Sequence, residues 1–253
     1  MKWNGVDHSA VRSPGAYLTT VVSRLCLDQL KSARSQREQY QGPWLPEPVV
    51  TSGWEVPDSH TELTDSLTIA FLHLMEQLNP VQRAVFLLHD IFGYTFKEIA
   101  EIIDRKPDTC RKIVQRSRPY IQEQRPMPRV TEIRDARKAE EFILALQTGE
   151  IQEIERLLAN DAILYSDGGG EVTAAPKLIV GSHKIGRFLR HLSSKKTKEM
   201  ELQPAQVNRR PGILILGGNR ISGVLALDIQ DNLIAGIYVI RNPHKIQHLG
   251  FPD

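Results

Sequence analysis

Cysteine is scarce in this chain: Cys26 and Cys110 are the only two among 253 residues, which argues against a disulfide framework or a thiolate metal site. Both fall on the expected inward faces of helices, where a cysteine behaves as a small buried hydrophobe. No run approaches the roughly 20 apolar residues of a membrane span, and no signal-peptide core opens the sequence. The expectation is a cytoplasmic protein without membrane contact. The eight histidines include no pair at i, i+4 beside an acid, so no zinc signature is present. A phosphate-cradling glycine loop and a nucleophile elbow are missing too, so neither a metal nor a cofactor is expected. Large net charge is also absent, at +2 overall. What remains is ordinary globular composition, 41% hydrophobic and 25% charged, in a chain long enough for more than one domain.

Against that even background, residues 78–122 stand out. Val81, Val85, Phe86, Leu87 and Ile91 recur at helical spacing behind Pro80, a residue suited to a first helical turn. Gly93 offers a left-handed stop. Thr95 then predicts the cap of a short second helix, with Glu98 completing a capping box and Phe96, Ile99, Ala100, Ile102 and Ile103 on its buried side. After the turn at 104–107, Asp108 is expected to cap a third helix with Cys110, Ile113 and Val114 inward. Between Arg105 and Arg118 there are six basic residues and one acid. Two helices followed by a basic third form the layout of a helix-turn-helix DNA reader. Thr109, Arg111, Lys112 and Gln115, near the helix start, are placed to reach base edges, and Arg116 and Arg118 to meet phosphates. Charge alone leaves open a solvated basic face on a small helical bundle.

The rest of the chain divides by composition. A helix is expected from Ser13–Pro14 to about Arg37, with Tyr17, Leu18, Val21, Val22, Leu25, Cys26 and Leu30 as its apolar stripe. Residues 42–60 carry four prolines and two glycines, which forbid a continuous helix. Trp44 and Trp54 in such a spacer suggest docking on a neighbouring domain or packing on a local helix. Residues 61–77 read as an amphipathic helix, with Leu63, Leu67, Ala70, Phe71 and Leu74 inward, packing on the helix-turn-helix. From about residue 131, two helices precede short β-rich runs at 162–167, 171–176, 201–208, 212–218, 220–230 and 233–241, with a helix near 182–192 between them. Alternation in the last runs suits a curved antiparallel sheet with one face on helices. Residues 228–232, DIQDN, predict a hairpin turn.

The segment LNPVQRAVFLLHDIFGYTFKEIAEII, with TCRKIVQRSR after it, resembles domain 4 of the extracytoplasmic-function RNA polymerase sigma factors. Residues 14–34 are similar to the last helix of sigma domain 2. Trp44, Leu45, Pro46, Glu47 and Pro48 resemble the linker motif of the SigJ-type subgroup, which carries a fused SnoaL-like domain. Asp167, Gly168, Gly169 and Gly170, and Asn242, Pro243 and Lys245, match its two C-terminal motifs, although His244 stands where an acid is usual. The resemblance implies a multidomain α and α+β chain: a domain 2 remnant at 1–41, a linker at 42–60, a helix-turn-helix domain 4 at 61–125 and a SnoaL-like (nuclear transport factor 2-like) cone at 126–253. It implies −35 promoter recognition, −10 DNA contact by Lys31 and Arg34, and binding to core polymerase. The SnoaL-like domain would regulate in place of a separate anti-sigma protein, through the linker and C-terminal motifs just named. A monomer is the default expectation. Only about thirteen residues precede the domain 2 helix, so a shortened regulator or antagonist that cannot initiate alone stays open.

The SnoaL-like fold also hosts isomerases and cyclases. Asp161, Tyr165, Asp167, His183 and His191 are the candidates for such chemistry, but no acid and base among them share an evident cavity face. The expectation is a non-enzyme, with a small-ligand sensor and an enzyme bearing a DNA-binding appendage as weaker readings.

Overall fold

The computed structural model describes residues 11, 13–37, 40, 42–51, 68–124, 132–194, 200–208, 210–218 and 220–250. The side chains of residues 31–37, 51, 120, 122–124 and 132–134 lie outside that description. The chain folds as two compact units, Met1–Glu38 with Met75–Gln124, and Gln39–Leu74 with Arg125–Asp253.

In the first unit, α1 spans Pro14–Arg37, α3 Pro80–Phe86, α4 Phe96–Ile103 and α5 Pro107–Gln124; α2, Ile69–Glu76, ends in this unit. The local sequence explains each boundary. Asn79 caps α3 reciprocally with Gln82 ahead of Pro80, and Thr95 does the same for α4 with Glu98. The Thr95 hydroxyl and backbone N–H hold the Glu98 carboxyl below the usual carboxylate range. Leu87–Ile91 continues α3 as a π-helical turn, and Gly93 follows with a positive φ of 71°. Val85, Leu88, Ile99, Ala100, Ile102, Cys110 and Val114 form the core. Burial raises the Cys110 thiol. Helix α1 ties in through Arg24, whose guanidinium donates to the Ile102 and Glu101 carbonyls at the end of α4, and through Thr19 against the Tyr94 hydroxyl.

Two expectations fail in this unit. Helix α5 starts at Pro107, so Asp108 sits inside the first turn rather than at the cap; the fixed φ of proline favours that first position. Leu18, Val22 and Leu25 are 42%, 55% and 53% exposed, and Cys26 is exposed rather than inward. The face of α1 that packs is the one carrying Arg24 and the buried Leu27.

The second unit is a seven-stranded sheet in the order β1-β4-β5-β6-β7-β2-β3. Its strands are β1 Val50–Thr51, β2 Leu158–Asp167, β3 Ile179–Val180, β4 Met200–Val207, β5 Arg210–Gly217, β6 Ile221–Gln230 and β7 Leu233–Ile240. Helices α6 Glu132–Thr148, α7 Ile151–Leu157 and α8 Ser182–Ser194 cover one face, and the four-residue α9, Pro243–Ile246, closes the chain. Helices followed by strands, a helix and four antiparallel strands is the order of the SnoaL-like α+β cone. The sheet is mixed rather than purely antiparallel, because β2 lies parallel to β7. Residues 171–176 are irregular, with a turn at the start and bends, instead of a strand; the strand beside β2 is Ile179–Val180. Asp231 and Asn232 both take positive φ, as a two-residue hairpin between twisted strands needs.

Period-two alternation separates the two faces of the sheet. Leu164, Ile213, Leu225, Leu227, Ile237 and Val239 point toward α6, α7 and α8, joining Phe142, Ile154 and Ile185. Leu214, Leu216, Val224, Ala226, Tyr238 and Ile240 point the other way, where Leu45, Ile69 and Ile246 cover them. The sequence suggested one covered face; the structure has two. Helix α2 accounts for part of the difference: Ile69, 2% exposed, belongs to this sheet cluster rather than to the helix-turn-helix core. Residues 61–67, with Leu63 and Leu67, lie outside the described residues, as does Trp54.

Candidate functional site: a basic helix and a buried ionic clasp

Helix α5 turns Cys110, Val114, Ser117 and Ile121 inward, at spacings of four, three and four. The geometry of a helix therefore sends Thr109, Arg111, Lys112, Gln115, Arg116 and Arg118 outward, and all six are exposed. Two of them are held by neighbours. Arg111 Nη1 donates to Asp108 Oδ1 at 3.3 Å, and its guanidinium lies 5.5 Å from the Phe96 ring centroid. Arg118 binds Asp90 through Nε at 3.0 Å and through Nη2. Lys31 and Arg34 lie in the last turns of α1, with side chains outside the described residues.

The second unit carries a different arrangement of charge. Asp167 ends β2 with its side chain fully buried. Its Oδ2 accepts from the backbone N–H of Leu45 at 2.9 Å and from Lys245 Nζ at 2.7 Å. Its Oδ1 accepts from the Gly169 N–H at 3.0 Å and from the Tyr40 hydroxyl. Lys245 also donates to the Leu45 carbonyl at 2.5 Å, and its ammonium sits 4.0 Å from the Trp44 ring centroid and 5.1 Å from that of Tyr40. A buried carboxylate thus takes four donors and a buried ammonium faces two aromatic rings, so neither charge is left uncompensated.

Most motif residues have a definable task. Asn242 caps α9 by accepting from the His244 N–H at 3.0 Å and donates from Nδ2 to the Tyr40 hydroxyl at 2.7 Å. Pro243 follows at the first helical position, which brings Lys245 round to Asp167. At Gly168 a Cβ would overlap the Val172 carbonyl; at Gly169, with φ of 67°, it would meet the Asn242 side chain. Gly170 has a positive φ of 79°. Pro46 and Pro48 are buried in the extended strap that follows Leu45, whereas Glu47 is exposed and takes no part in the clasp. The strap continues as Val49, which exchanges hydrogen bonds with Asn208, and then as β1, paired with Val207 and Gln206 of β4.

Sequence reasoning missed Tyr40, which no motif marked. Burial, then the hydrogen bond to Asp167 and its negative charge, hold the Tyr40 phenol well above the usual tyrosine range. It remains a donor. The catalytic candidates, by contrast, are scattered. Asp161 and His191 are exposed, and His183 pairs with Glu155 at 2.8 Å. Tyr165 stacks on Tyr238 with centroids 5.0 Å apart, and Asp167 is committed to the clasp. Among the described residues no three His, Cys, Asp or Glu side chains group as metal ligands, and no helix is long and apolar enough to cross a membrane.

Comparison with known proteins decides the lineage. The Sigma-70, region 4 family matches residues 68–118. The ECF RNA polymerase sigma factor SigJ of Mycobacterium tuberculosis H37Rv is 30% identical over 97% of this chain and 82% of its own length. The chain belongs to the extracytoplasmic-function RNA polymerase sigma factors. A probable ECF RNA polymerase sigma factor, SigI of M. tuberculosis CDC 1551, is 33% identical over 92% of this chain and 78% of its own. The crystal structure of the M. tuberculosis extracytoplasmic function sigma factor SigJ superposes with a TM-score of 0.74 at 29% identity, covering 96% of this chain and 86% of that one. In this sigma factor the basic helix is therefore part of a promoter-reading domain, fused to a SnoaL-like module.

Proposed function

We propose that this sigma factor reads the promoter −35 element through α5 and that its SnoaL-like domain controls engagement of core polymerase by holding Tyr40 and residues 42–51. Thr109, Arg111, Lys112 and Gln115 face base edges; Arg116 and Arg118 face phosphates. Lys31 and Arg34, at the end of a helix similar to the last one of sigma domain 2, approach DNA near the −10 element. The motifs divide the chain at 1–41, 42–60, 61–125 and 126–253, while in packing Gln39–Leu74 joins Arg125–Asp253 as one compact unit. The protein works in the cytoplasm as a monomer, with core polymerase and promoter DNA as partners and no separate anti-sigma protein. It is not an enzyme, a reading supported by the dense apolar packing between the helices and the sheet, Phe142 included.

The observation that carries the regulatory part is the buried Asp167 carboxylate, whose donors come from the strap at Tyr40 and Leu45, from its own loop, and from Lys245. A segment bound in this way is unavailable to a partner, so loosening the clasp favours polymerase. The test is promoter-dependent transcription with purified core polymerase. The full chain is compared with a variant carrying Asp167→Asn and Lys245→Met, which removes both buried charges while keeping side-chain volume. The expected result is several-fold more transcript at limiting core, with unchanged affinity for −35 duplex. Equal transcription by both proteins would contradict the regulatory reading. Absence of transcripts from either, with binding to core or −35 DNA retained, would favour the regulator that cannot initiate alone.

A further inference from the structure

Asp90 is on the π-helical turn Leu87–Ile91, a kind of irregularity that is frequent at functional positions. Its side chain is 16% exposed, and its Oδ1 accepts from both Nε and Nη2 of Arg118, 28 residues away. The other oxygen, Oδ2, is buried and makes no hydrogen bond among the described residues. Arg118 itself is 48% exposed, and the bond to Asp90 raises its already high pKa, so the cation is retained. A guanidinium has five N–H donors, so this clasp leaves three for another acceptor.

The site coincides with a weak point of the reading helix. Pro119 lies inside α5, directly after Arg118. Proline has no N–H, so the Gln115 carbonyl loses its helical donor, and the residue before proline is disfavoured in helical conformation. Helix α5 nevertheless runs on to Gln124, with one backbone hydrogen bond fewer at the position where Asp90 grips it. We propose that Asp90 is a positioning residue for DNA: it pins Arg118 beside Pro119 and aims the remaining guanidinium N–H groups at a backbone phosphate. Ordering the arginine in the free protein removes a rotamer cost that binding would otherwise bear. This inference rests on the reading of α5 as the DNA face.

The experiment is salt-dependent binding of the full chain to a mixed-sequence 30-bp duplex, followed by fluorescence anisotropy. Arg116→Ala serves as the control for the DNA face. It should weaken binding and lower the salt slope by about one unit. Arg118→Ala should lower the slope by about one unit as well, which a merely structural ion pair would not do. Asp90→Ala should weaken binding about fivefold, the equivalent of roughly 1 kcal/mol of side-chain ordering. The double change of Asp90→Ala and Arg118→Ala should bind no more weakly than Arg118→Ala alone. Asp90→Asn keeps an acceptor and should restore most of the loss; it also serves if the alanine variant does not fold. Unchanged or tighter binding by Asp90→Ala, or by Asp90→Asn if that is the only variant that folds, with a normal Arg116→Ala control, would overturn the positioning role. An unmoved slope in Arg118→Ala would do the same. No effect of Arg116→Ala would remove the DNA-face reading and this inference with it.

Discussion

The basic helix α5 and the clasp of the sheet unit use charge in opposite ways. Along α5 the cations are exposed, and the acids they meet, Asp108 and Asp90, leave part of each guanidinium available. In the sheet unit one cation and one anion are withdrawn from water and satisfied within the chain, at 7% and 0% side-chain exposure. Exposed pairs contribute about 0–1 kcal/mol, since water and salt replace the partner well. A buried pair that loses one member leaves an uncompensated charge, which costs about 3–5 kcal/mol. The first arrangement suits a surface awaiting phosphates. The second suits a joint that closes in one register.

That contrast can be broken at either end. The largest effect is expected from Lys245→Ala, which strands the Asp167 carboxylate; chemical unfolding should show the sheet unit destabilised by about 3–5 kcal/mol. Arg111→Ala comes next and acts only in the complex. It should cost about 1–3 kcal/mol in binding to a matched −35 duplex and relax sequence preference at one position, measured by competition among single-base variants. Tyr40→Phe removes the hydrogen bond donated to the buried Asp167 charge and the one accepted from Asn242, and should destabilise the sheet unit by about 1–2 kcal/mol. Because the folded phenol titrates above the ordinary value of about 10, the stabilisation from Tyr40 is fully present below that pH and is lost as pH rises beyond it. The alkaline fall in unfolding free energy should be smaller in Tyr40→Phe. The smallest effect is expected from Asp108→Ala, whose pair with Arg111 is 56% and 84% exposed; stability should change by no more than about 0.5 kcal/mol.

Much of the reading unit was legible because its signals are local. A capping box, a left-handed glycine and an i, i+4 apolar pattern are each decided within a few residues, and Thr95, Gly93 and the Ile99–Ile103 face behave as read. The Asn79 cap with Gln82 carried the same kind of signal. The Asp90–Arg118 bond did not, since a separation of 28 residues and a π turn leave no periodic trace. In the sheet unit the C-terminal motifs and the linker motif were recognised through the family resemblance, and the structure brings Trp44, Leu45, Asp167, Asn242 and Lys245 together. Tyr40 was not legible, because a tyrosine just before a proline-rich stretch reads the same whether it is solvated or buried. The parallel pairing of β2 with β7 was equally hidden: alternation reports which face a residue takes, never which neighbour its strand chooses. Ile69 belongs to the sheet for the same reason, since an amphipathic helix does not declare its partner.

In the proposed mechanism the clasp holds the strap and polymerase must release it. Backbone hydrogen exchange over residues 42–51 tests this directly, because the Leu45 N–H is donated to Asp167 and the Val49 N–H to Asn208. In the free chain both amides should be protected. Addition of core polymerase should erase protection at Leu45 and Val49 while the β6–β7 amides stay protected. Undiminished protection of Leu45 in the polymerase-bound chain would contradict the claim.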